Sequence, residues 1–245
     1  MTQIHAYTVV HNEEYLLPYW LRHYETVADH LFVLDDGSTD ATAAIIEACP
    51  HATRLPYPYA TGLDDTVLQE AFHEAIRAHS ADATWVMCPD SDELLYHPRM
   101  REALADARAS GYRCVGSEAW FMVADNPPQT TGQLYEVSNL GVRPQKTSSR
   151  YSYDKAIIFD PSAPIRLGAG RHKTHVPDGW PIADIGVKLL HYYYLGDAYI
   201  EHRLRKNCDR MLMLDEVARE QMYSARLYRA RLAHARARIR AVPVL

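Results

Sequence analysis

The feature that most constrains this chain is that three short apolar segments each run directly into an acid-rich polar turn. The apolar segments are residues 4–10, 30–34 and 84–88, and the turns that follow them are residues 12–14, 35–40 and 90–93. Segments of this length that alternate with helix-periodic stretches predict an α/β layer with a largely parallel sheet. Because ligands of such sheets bind beyond the carboxyl ends of the strands, the three turns are expected at one binding edge.

Helical periodicity predicts one helix from about Leu17 with Pro18 in its first turn, one that Ser38 or Thr39 caps, one over residues 66–79, one around residues 100–107 and one from Tyr199 to about Arg240. Further strands are predicted at residues 52–55, 114–123, 155–159 and 187–194. Residues 124–152 are polar and are expected to hold little regular structure.

Composition restricts the class of protein. The 245 residues are 47% hydrophobic and 23% charged, which is typical of a globular chain with one sizeable core. A formal net charge of −5 argues against a nucleic-acid partner. The 4 cysteines form no CxxC pair and are expected to be buried thiols. No signal peptide or membrane span is predicted, so a cytoplasmic protein is expected, attached to a membrane at most at its surface.

Two of the turns carry residue types suited to nucleotide chemistry. Asp90 and Asp92 stand one residue apart, and paired carboxylates favour a divalent cation such as Mg²⁺ or Mn²⁺ that bridges to a diphosphate. Asp35 and Asp36 precede Gly37, and a carboxylate there can accept from ribose hydroxyls or a base N–H. A turn with a helix cap accounts for Gly37 equally well, but it does not explain consecutive aspartates.

These three segments, in their order and spacing, resemble family 2 glycosyltransferases with the GT-A fold. His191-Tyr192, with Tyr199, Arg203 and Lys206 after it, is similar to a branch with a DxDE motif and a late His-Tyr. The resemblance covers residues 4–207. It implies a Rossmann-like α/β domain over residues 1–207, with a nucleotide-binding half (1–98) and an acceptor half (99–207). Residues 208–245 would then be a basic amphipathic C-terminal helix.

The resemblance also implies inverting transfer from a nucleotide-sugar donor, most often a UDP-sugar, to a saccharide or lipid-linked hydroxyl acceptor. The Val10 backbone, Glu13 and Asp35 would hold the nucleoside, and Asp36 would lie near the ribose or uracil. Asp90 and Asp92 would hold the metal and the donor ribose, with Asp92 the more direct metal ligand. Cell-surface polysaccharide or glycolipid assembly is expected from the fold alone.

A third metal ligand is expected from the second half, because imidazole also suits manganese. His191 is the first choice, followed by His175 and His172, although most histidines are structural. Arg203 and Lys206 can pair with diphosphate oxygens, or they can form a solvated helix face.

Inverting transfer needs a general base, and here the chain departs from the family pattern. No Glu-Asp pair follows the DxD motif at a suitable distance. Glu118 is the first choice as base because Trp120 could stack on a sugar face, and Asp125 is the second. A surface strand would also account for Glu118.

The C-terminal segment carries seven arginines and one glutamate between Arg219 and Arg240. Such a helix can lie on anionic lipid, or it can pack on the core or on a partner subunit as a homodimer contact. Packing is favoured.

The same motifs offer three alternative functions. A haloacid-dehalogenase-type phosphohydrolase is disfavoured because Leu34 stands two residues before Asp36 and Glu93, not Gly, follows Asp92. A nucleotidyltransferase lacks support because no Gly-rich loop follows the first strand. A non-catalytic nucleotide-sugar-binding protein stays open, since the base is uncertain.

Overall fold

The computed structural model describes residues 2–57, 65–144, 153–168, 171–210 and 215–245. Its first half contains β1 (Ile4–Val10), α1 (Leu17–Tyr24), β2 (His30–Asp35), α2 (Thr42–Glu47), β3 (Ala52–Pro56), α3 (Asp65–His79), β4 (Trp85–Met87), β5 (Glu93–Tyr96), α4 (Met100–Ala109), β6 (Cys114–Val115) and β7 (Glu118–Ala124). Its second half contains α5 (Leu134–Val137), β8 (Leu140–Val142), β9 (Ile158–Phe159), β10 (Arg166–Leu167), β11 (Thr174–His175), β12 (Lys188–Leu195), α6 (Asp197–Asp209), α7 (Glu216–Arg240) and β13 (Val242–Pro243).

The described residues form two compact units. The first comprises residues 2–57, 65–119, 153–168 and 171–190, and the second comprises residues 120–144, 191–210 and 215–245. Strands β7 and β12 each begin in the first unit and end in the second.

A six-stranded sheet in the order β3-β2-β1-β4-β9-β6 forms the first unit. The first four strands are parallel, and β9 runs antiparallel to both β4 and β6. Val10 lies opposite Asp35, and Ala6 lies opposite Met87. The predicted α/β class is therefore confirmed, and the three acid-rich turns follow the adjacent strands β2, β1 and β4.

Strand β1 lies at the centre of this sheet and is apolar along most of its length, as expected for a parallel strand covered on both faces. The side chains of Ile4, Ala6 and Tyr7 are fully buried. The Tyr7 hydroxyl and His5 Nδ1 both lie within hydrogen-bond distance of Ser80 Oγ, at 2.5 and 2.7 Å. The buried hydroxyl of Tyr7 and Nδ1 of His5 thus share a hydrogen-bond partner within the core.

In the second unit, β13, β8, β7 and β12 are neighbours in that order, and α6 packs against α7. Helices α6 and α7 share an apolar core that consists of Ile200, Leu204, Cys208, Tyr223 and Ala230.

The helix predicted from Tyr199 to about Arg240 is wrong as a single element. Helix α6 ends at Asp209, and α7 begins at Glu216. The Asp215 side chain accepts a hydrogen bond from the Ala218 backbone at 2.8 Å, which is an N-cap within a sequence that otherwise reads as helix. Residues 211–214 lie outside the described residues.

Other local predictions also differ from the structure. The strand predicted over residues 114–123 is divided into β6, which pairs with β9, and β7, which pairs with β8. The region expected to be irregular contains α5 and β8, and residues 145–152 fall outside the described residues. Neither Ser38 nor Thr39 caps α2, since its N-cap is Ala41. All 4 cysteines are free thiols, and no helix of the described chain is long and apolar enough to cross a bilayer.

Gly196 precedes α6 with φ near 90°, a conformation that favours glycine, and a Cβ there would overlap the Asp125 backbone carbonyl. We therefore expect Gly196→Ala to lower the free energy of unfolding by about 3 kcal/mol in urea denaturation. Gly179 has φ 78° with no atom near its missing Cβ, so Gly179→Ala reports the cost of backbone conformation alone. Equal losses in the two variants would contradict the close approach at Gly196.

Candidate active site

The turns after β1 and β2 are held together by reciprocal hydrogen bonds. The Asn12 backbone N–H donates to Ser38 Oγ at 2.9 Å, and the Thr39 N–H donates to Asn12 Oδ1 at 2.7 Å. The Glu13 N–H donates to Thr42 Oγ1 at 2.8 Å. Asn12 adopts a left-handed conformation with φ 50°, which asparagine tolerates well. The polar residues that follow the two strands therefore form one ordered surface.

The two consecutive aspartates have different surroundings. The Asp35 side chain is 1% exposed, and its Oδ2 accepts from Arg54 Nε at 2.8 Å. Its Oδ1 accepts from the Ser38 N–H at 3.0 Å. Asp36 is half-buried, and its backbone N–H donates to the Val10 carbonyl at 2.9 Å. The Asp35 charge is thus compensated by an arginine on β3, whereas the Asp36 side chain is more accessible.

A cluster of charged side chains surrounds the turn after β4. Asp90 accepts from Lys155 Nζ at 2.9 Å and also contacts the Arg171 guanidinium. Lys155 Nζ lies 2.6 Å from Glu93 Oε1, while Glu93 Oε2 accepts from the Asp90 backbone N–H at 3.0 Å. Lys155 and Arg171 are buried and Glu93 has no exposed surface, but the Asp90 side chain is 36% exposed. Because a buried charge without a partner is costly, the buried side chains of Lys155, Arg171 and Glu93 need the opposite charges that surround them.

Helix α1 is hydrogen-bonded to the end of the same turn and to strand β5. The Tyr24 hydroxyl donates to the Glu93 carbonyl at 3.1 Å and accepts from the Leu95 N–H at 2.9 Å. The His23 Nε2–H group donates a hydrogen bond to the Leu95 carbonyl oxygen, at an N···O distance of 2.9 Å. Burial lowers the pKa of His23 to about 4, and the bond to Leu95 offsets only part of this shift. His23 is therefore neutral near pH 7, and these bonds hold β5 in place.

The balance of charge at the turn bears on metal binding. Asp90, Asp92 and Glu93 bring three formal negative charges, and Lys155 and Arg171 bring two positive ones. Among the residues that the structure describes, no three His, Cys, Asp or Glu side chains are grouped to hold a metal ion. The turn therefore does not form a cage made of protein ligands alone. It does fit the mode of Mg²⁺ or Mn²⁺, which use one or two carboxylates together with substrate phosphate and water.

Arg171 adopts a left-handed backbone conformation, with φ 56°. Its guanidinium carbon lies 4.8 Å from the centroid of the Phe72 ring on α3, within the range of a cation–π contact. Neither Arg171 nor Lys155 was assigned a role from sequence. For Lys155 the sequence signal is its place at the head of the apolar residues 156–159, a segment that also resembles the middle region of family 2 glycosyltransferases.

Three further predicted residues belong to the first unit. Glu118 is the first residue of β7 and is exposed, and its backbone N–H donates to the Val187 carbonyl at 2.8 Å. His175 is exposed on β11. The His172 ring packs edge-on against Tyr153, with the centroids 5.6 Å apart.

Four predicted residues lie in the second unit. Asp125 forms an ion pair with Arg238 at 2.5 Å. The His191 ring lies 5.4 Å from the rings of both Phe121 and Tyr193. The Arg203 guanidinium lies 4.3 Å from the Tyr193 centroid, and Lys206 is half-buried on α6.

The chain matches the model of a known protein family. The model of the family described as glycosyl transferase family 2 matches residues 7–166. Because this match covers more than half of the chain, the protein belongs to glycosyl transferase family 2. The predicted GT-A fold class is confirmed with it.

The chain is also similar to crystal structures of S. aureus TarS. The match to one TarS structure has 13% sequence identity and a TM-score of 0.40, and it covers 92% of this chain and 43% of the TarS chain. Against TarS 1-349 the identity is 16% and the TM-score 0.39, covering 96% and 73%. Against TarS 1-349 in complex with UDP-GlcNAc the identity is 15% and the TM-score 0.41, covering 92% and 72%. The chain thus spans less than half of the first of these chains, and no curated protein matches it.

Lys155 is expected to hold the acidic turn in its folded form. Lys155→Met removes the ammonium that contacts two carboxylates, so we expect a loss of about 3–5 kcal/mol in the free energy of unfolding. Arg99→Met is the control, because it breaks an ion pair with Glu102 in which the side chains are 75% and 69% exposed. That variant should change stability little. Similar stabilities of the two variants in urea would refute the role of Lys155.

Proposed function

We propose that this protein transfers a sugar from a nucleotide-sugar donor, a UDP-sugar in the first instance, to a hydroxyl acceptor with inversion at the anomeric carbon. The observation that carries the proposal is the Asp90–Glu93 turn, which follows a strand next to β1 and is braced by two buried cations. Membership of glycosyl transferase family 2 supports the class of reaction.

The nucleoside is assigned to the surface formed by the turns after β1 and β2. Asp36 is the residue proposed to accept from the ribose or the base, because it is the more accessible of the two aspartates. The Val10 backbone and Glu13 border the same surface. Asp35 is proposed to act mainly by fixing the loop, since both of its oxygens already accept hydrogen bonds from Ser38 and Arg54.

The donor diphosphate is assigned to the turn after β4. Asp92 is proposed as the direct carboxylate ligand of Mg²⁺ or Mn²⁺, as the resemblance of the Asp90–Glu93 turn to the family motif predicts, with Asp90 paired to Lys155 and Arg171 beside it. When bound, such an ion offsets the negative charge that develops on the leaving nucleoside diphosphate. The third metal ligand stays a prediction, with His172 and His175 of the first unit and His191 of the second unit as its candidates. The pairing of Arg203 and Lys206 with diphosphate oxygens also stays a prediction.

Glu118 is proposed as the general base. Its exposed position at the start of β7 lets an acceptor hydroxyl approach, and Asp125, which is exposed as well but pairs with Arg238, stays the second choice. The base takes the hydroxyl proton while the acceptor oxygen forms its bond to the anomeric carbon. The bond from that carbon to the diphosphate oxygen breaks, and its electron pair leaves with the nucleoside diphosphate.

Binding of the donor diphosphate tests the site directly. We expect UDP with Mn²⁺ to raise the melting temperature of the wild-type protein more than either alone, since a ligand at about 100 times its Kd adds about 2.7 kcal/mol. Asp92→Asn should lose the manganese-dependent part of this shift. Asp82→Asn, at an exposed residue outside the cluster, should retain it.

Retention of the manganese-dependent shift in Asp92→Asn would overturn the metal assignment. Absence of any shift in the wild-type protein, with UDP, other nucleoside diphosphates or their sugars, would overturn the proposed function itself.

Glu118→Gln tests the base. The variant should keep the donor-induced rise in melting temperature and lose kcat by about 10²-fold or more, because the amide cannot take the proton. Asp125→Asn is the comparison, and it should retain most of the turnover. The reverse ranking would move the base to Asp125. Donor binding by the wild-type protein without donor hydrolysis or transfer would instead favour a non-catalytic binding protein.

A further inference from the structure

Helix α7 presents an exposed apolar stripe on the side opposite its packed face. Tyr223, Ala230, His234 and Ala237 form the buried side. At about 100° per residue, Val217, Tyr228, Leu232 and Ile239 fall within about 60° of one another on the other side. Val217 is 67% exposed, Tyr228 71%, Leu232 40% and Ile239 87%. Beyond the helix, the stripe continues with Val242, which is 48% exposed.

From Tyr228 to Ile239, arginines border this stripe on both sides. Arg229, Arg236 and Arg240 follow one border, and Arg231 and Arg238 follow the other when the same helical spacing is applied. All five residues are exposed. Arg231 is tied to Glu201 and Arg238 to Asp125, at 2.7 and 2.5 Å, so the second row is held beside the stripe by ion pairs.

The charge of this face contrasts with that of the whole chain. From Tyr228 to Arg240 the helix contains no acidic residue, although the protein has a formal net charge of −5. An apolar stripe between rows of arginines is the arrangement by which a helix lies in the interface of a bilayer. Its apolar side chains enter the boundary of headgroups and acyl chains, while the guanidinium groups meet anionic lipid headgroups.

A second copy of the chain is a poorer occupant of this face. A two-fold contact would set the same surface against itself. The row formed by Arg229, Arg236 and Arg240 would then meet arginines of the second copy, and the carboxylates beside this face, Glu201 and Asp125, are already paired with Arg231 and Arg238. Charge complementarity therefore selects an anionic surface.

We propose that the outer face of α7, centred on Tyr228, Leu232 and Ile239 and bordered by arginines, binds peripherally to the surface of an anionic lipid bilayer. This proposal is independent of the sugar-transfer proposal. A bilayer at this face would bring the enzyme to acceptors that are carried on lipid.

Flotation of the full chain with lipid vesicles tests the proposal without donor or acceptor. The protein should float with vesicles of equal parts phosphatidylcholine and phosphatidylglycerol, and much less with phosphatidylcholine alone. The triple variant R229Q/R236Q/R240Q should partition on the order of 100-fold more weakly, at about fivefold per arginine. Ile239→Gln should weaken partition by about 10-fold. Salt should weaken the wild-type interaction, because it screens exposed charges.

Matched controls remove the same groups from the first unit. These are R77Q/R99Q/R166Q, at three exposed arginines, and Ile182→Gln, at a residue that is 45% exposed. Both should float like the wild type. Circular dichroism and sedimentation verify that each variant is folded and report its oligomeric state.

Three outcomes would overturn the proposal. The wild-type protein could fail to float with anionic vesicles, or the controls could lose as much partition as the α7 variants. A dimer of the wild-type protein that Ile239→Gln dissociates would assign the stripe to a second copy instead.

Discussion

The contact of Lys155 with Glu93 and Asp90 is the interaction on which the rest of the site depends. A carboxylate without exposed surface, as at Glu93, is tolerated only with a charged partner, and Lys155 supplies it at 2.6 Å. Because the same ammonium also reaches Asp90, the shape of the turn is set by a residue from a different part of the chain. Loss of that ammonium would leave the predicted metal-binding motif without its internal counter-charge.

A similar principle operates at the neighbouring turn. Asp35 is compensated by Arg54 from β3, and the half-buried Asp36 follows it. In both turns one carboxylate is paired with cations, Asp35 with Arg54 and Asp90 with Lys155 and Arg171. We infer that these paired carboxylates hold the backbone of the two turns in place.

The sheet and the positions of the acid-rich turns after its neighbouring strands could be predicted because their signals are local. Apolar runs such as residues 4–10 and 30–34 indicate strands without knowledge of the rest of the chain, and parallel strands bring their carboxyl ends together. The partners of the acidic turn could not be predicted, since Lys155 is 65 residues from Asp90 in sequence. Nothing in the pattern around Arg171 indicates that its side chain is buried.

The C-terminal region shows a different limit. Its periodicity correctly indicated helix, but the break before Glu216 depends on one side-chain cap, at Asp215, within a segment of otherwise helical composition. The sequence predicted a basic amphipathic helix here, but it did not predict which face of the helix is packed. Which apolar residues are packed against α6, and which are exposed, follows only from the tertiary structure.

The most direct test of the central claim is a crystal structure of the protein soaked with UDP and Mn²⁺, with anomalous diffraction measured for manganese. The account predicts one manganese peak at coordination distance from the Asp92 carboxylate and from the UDP phosphates, with the nucleoside beside Asp36. A structure in which UDP binds away from the turn after β4, or in which manganese binds without Asp92, would contradict it.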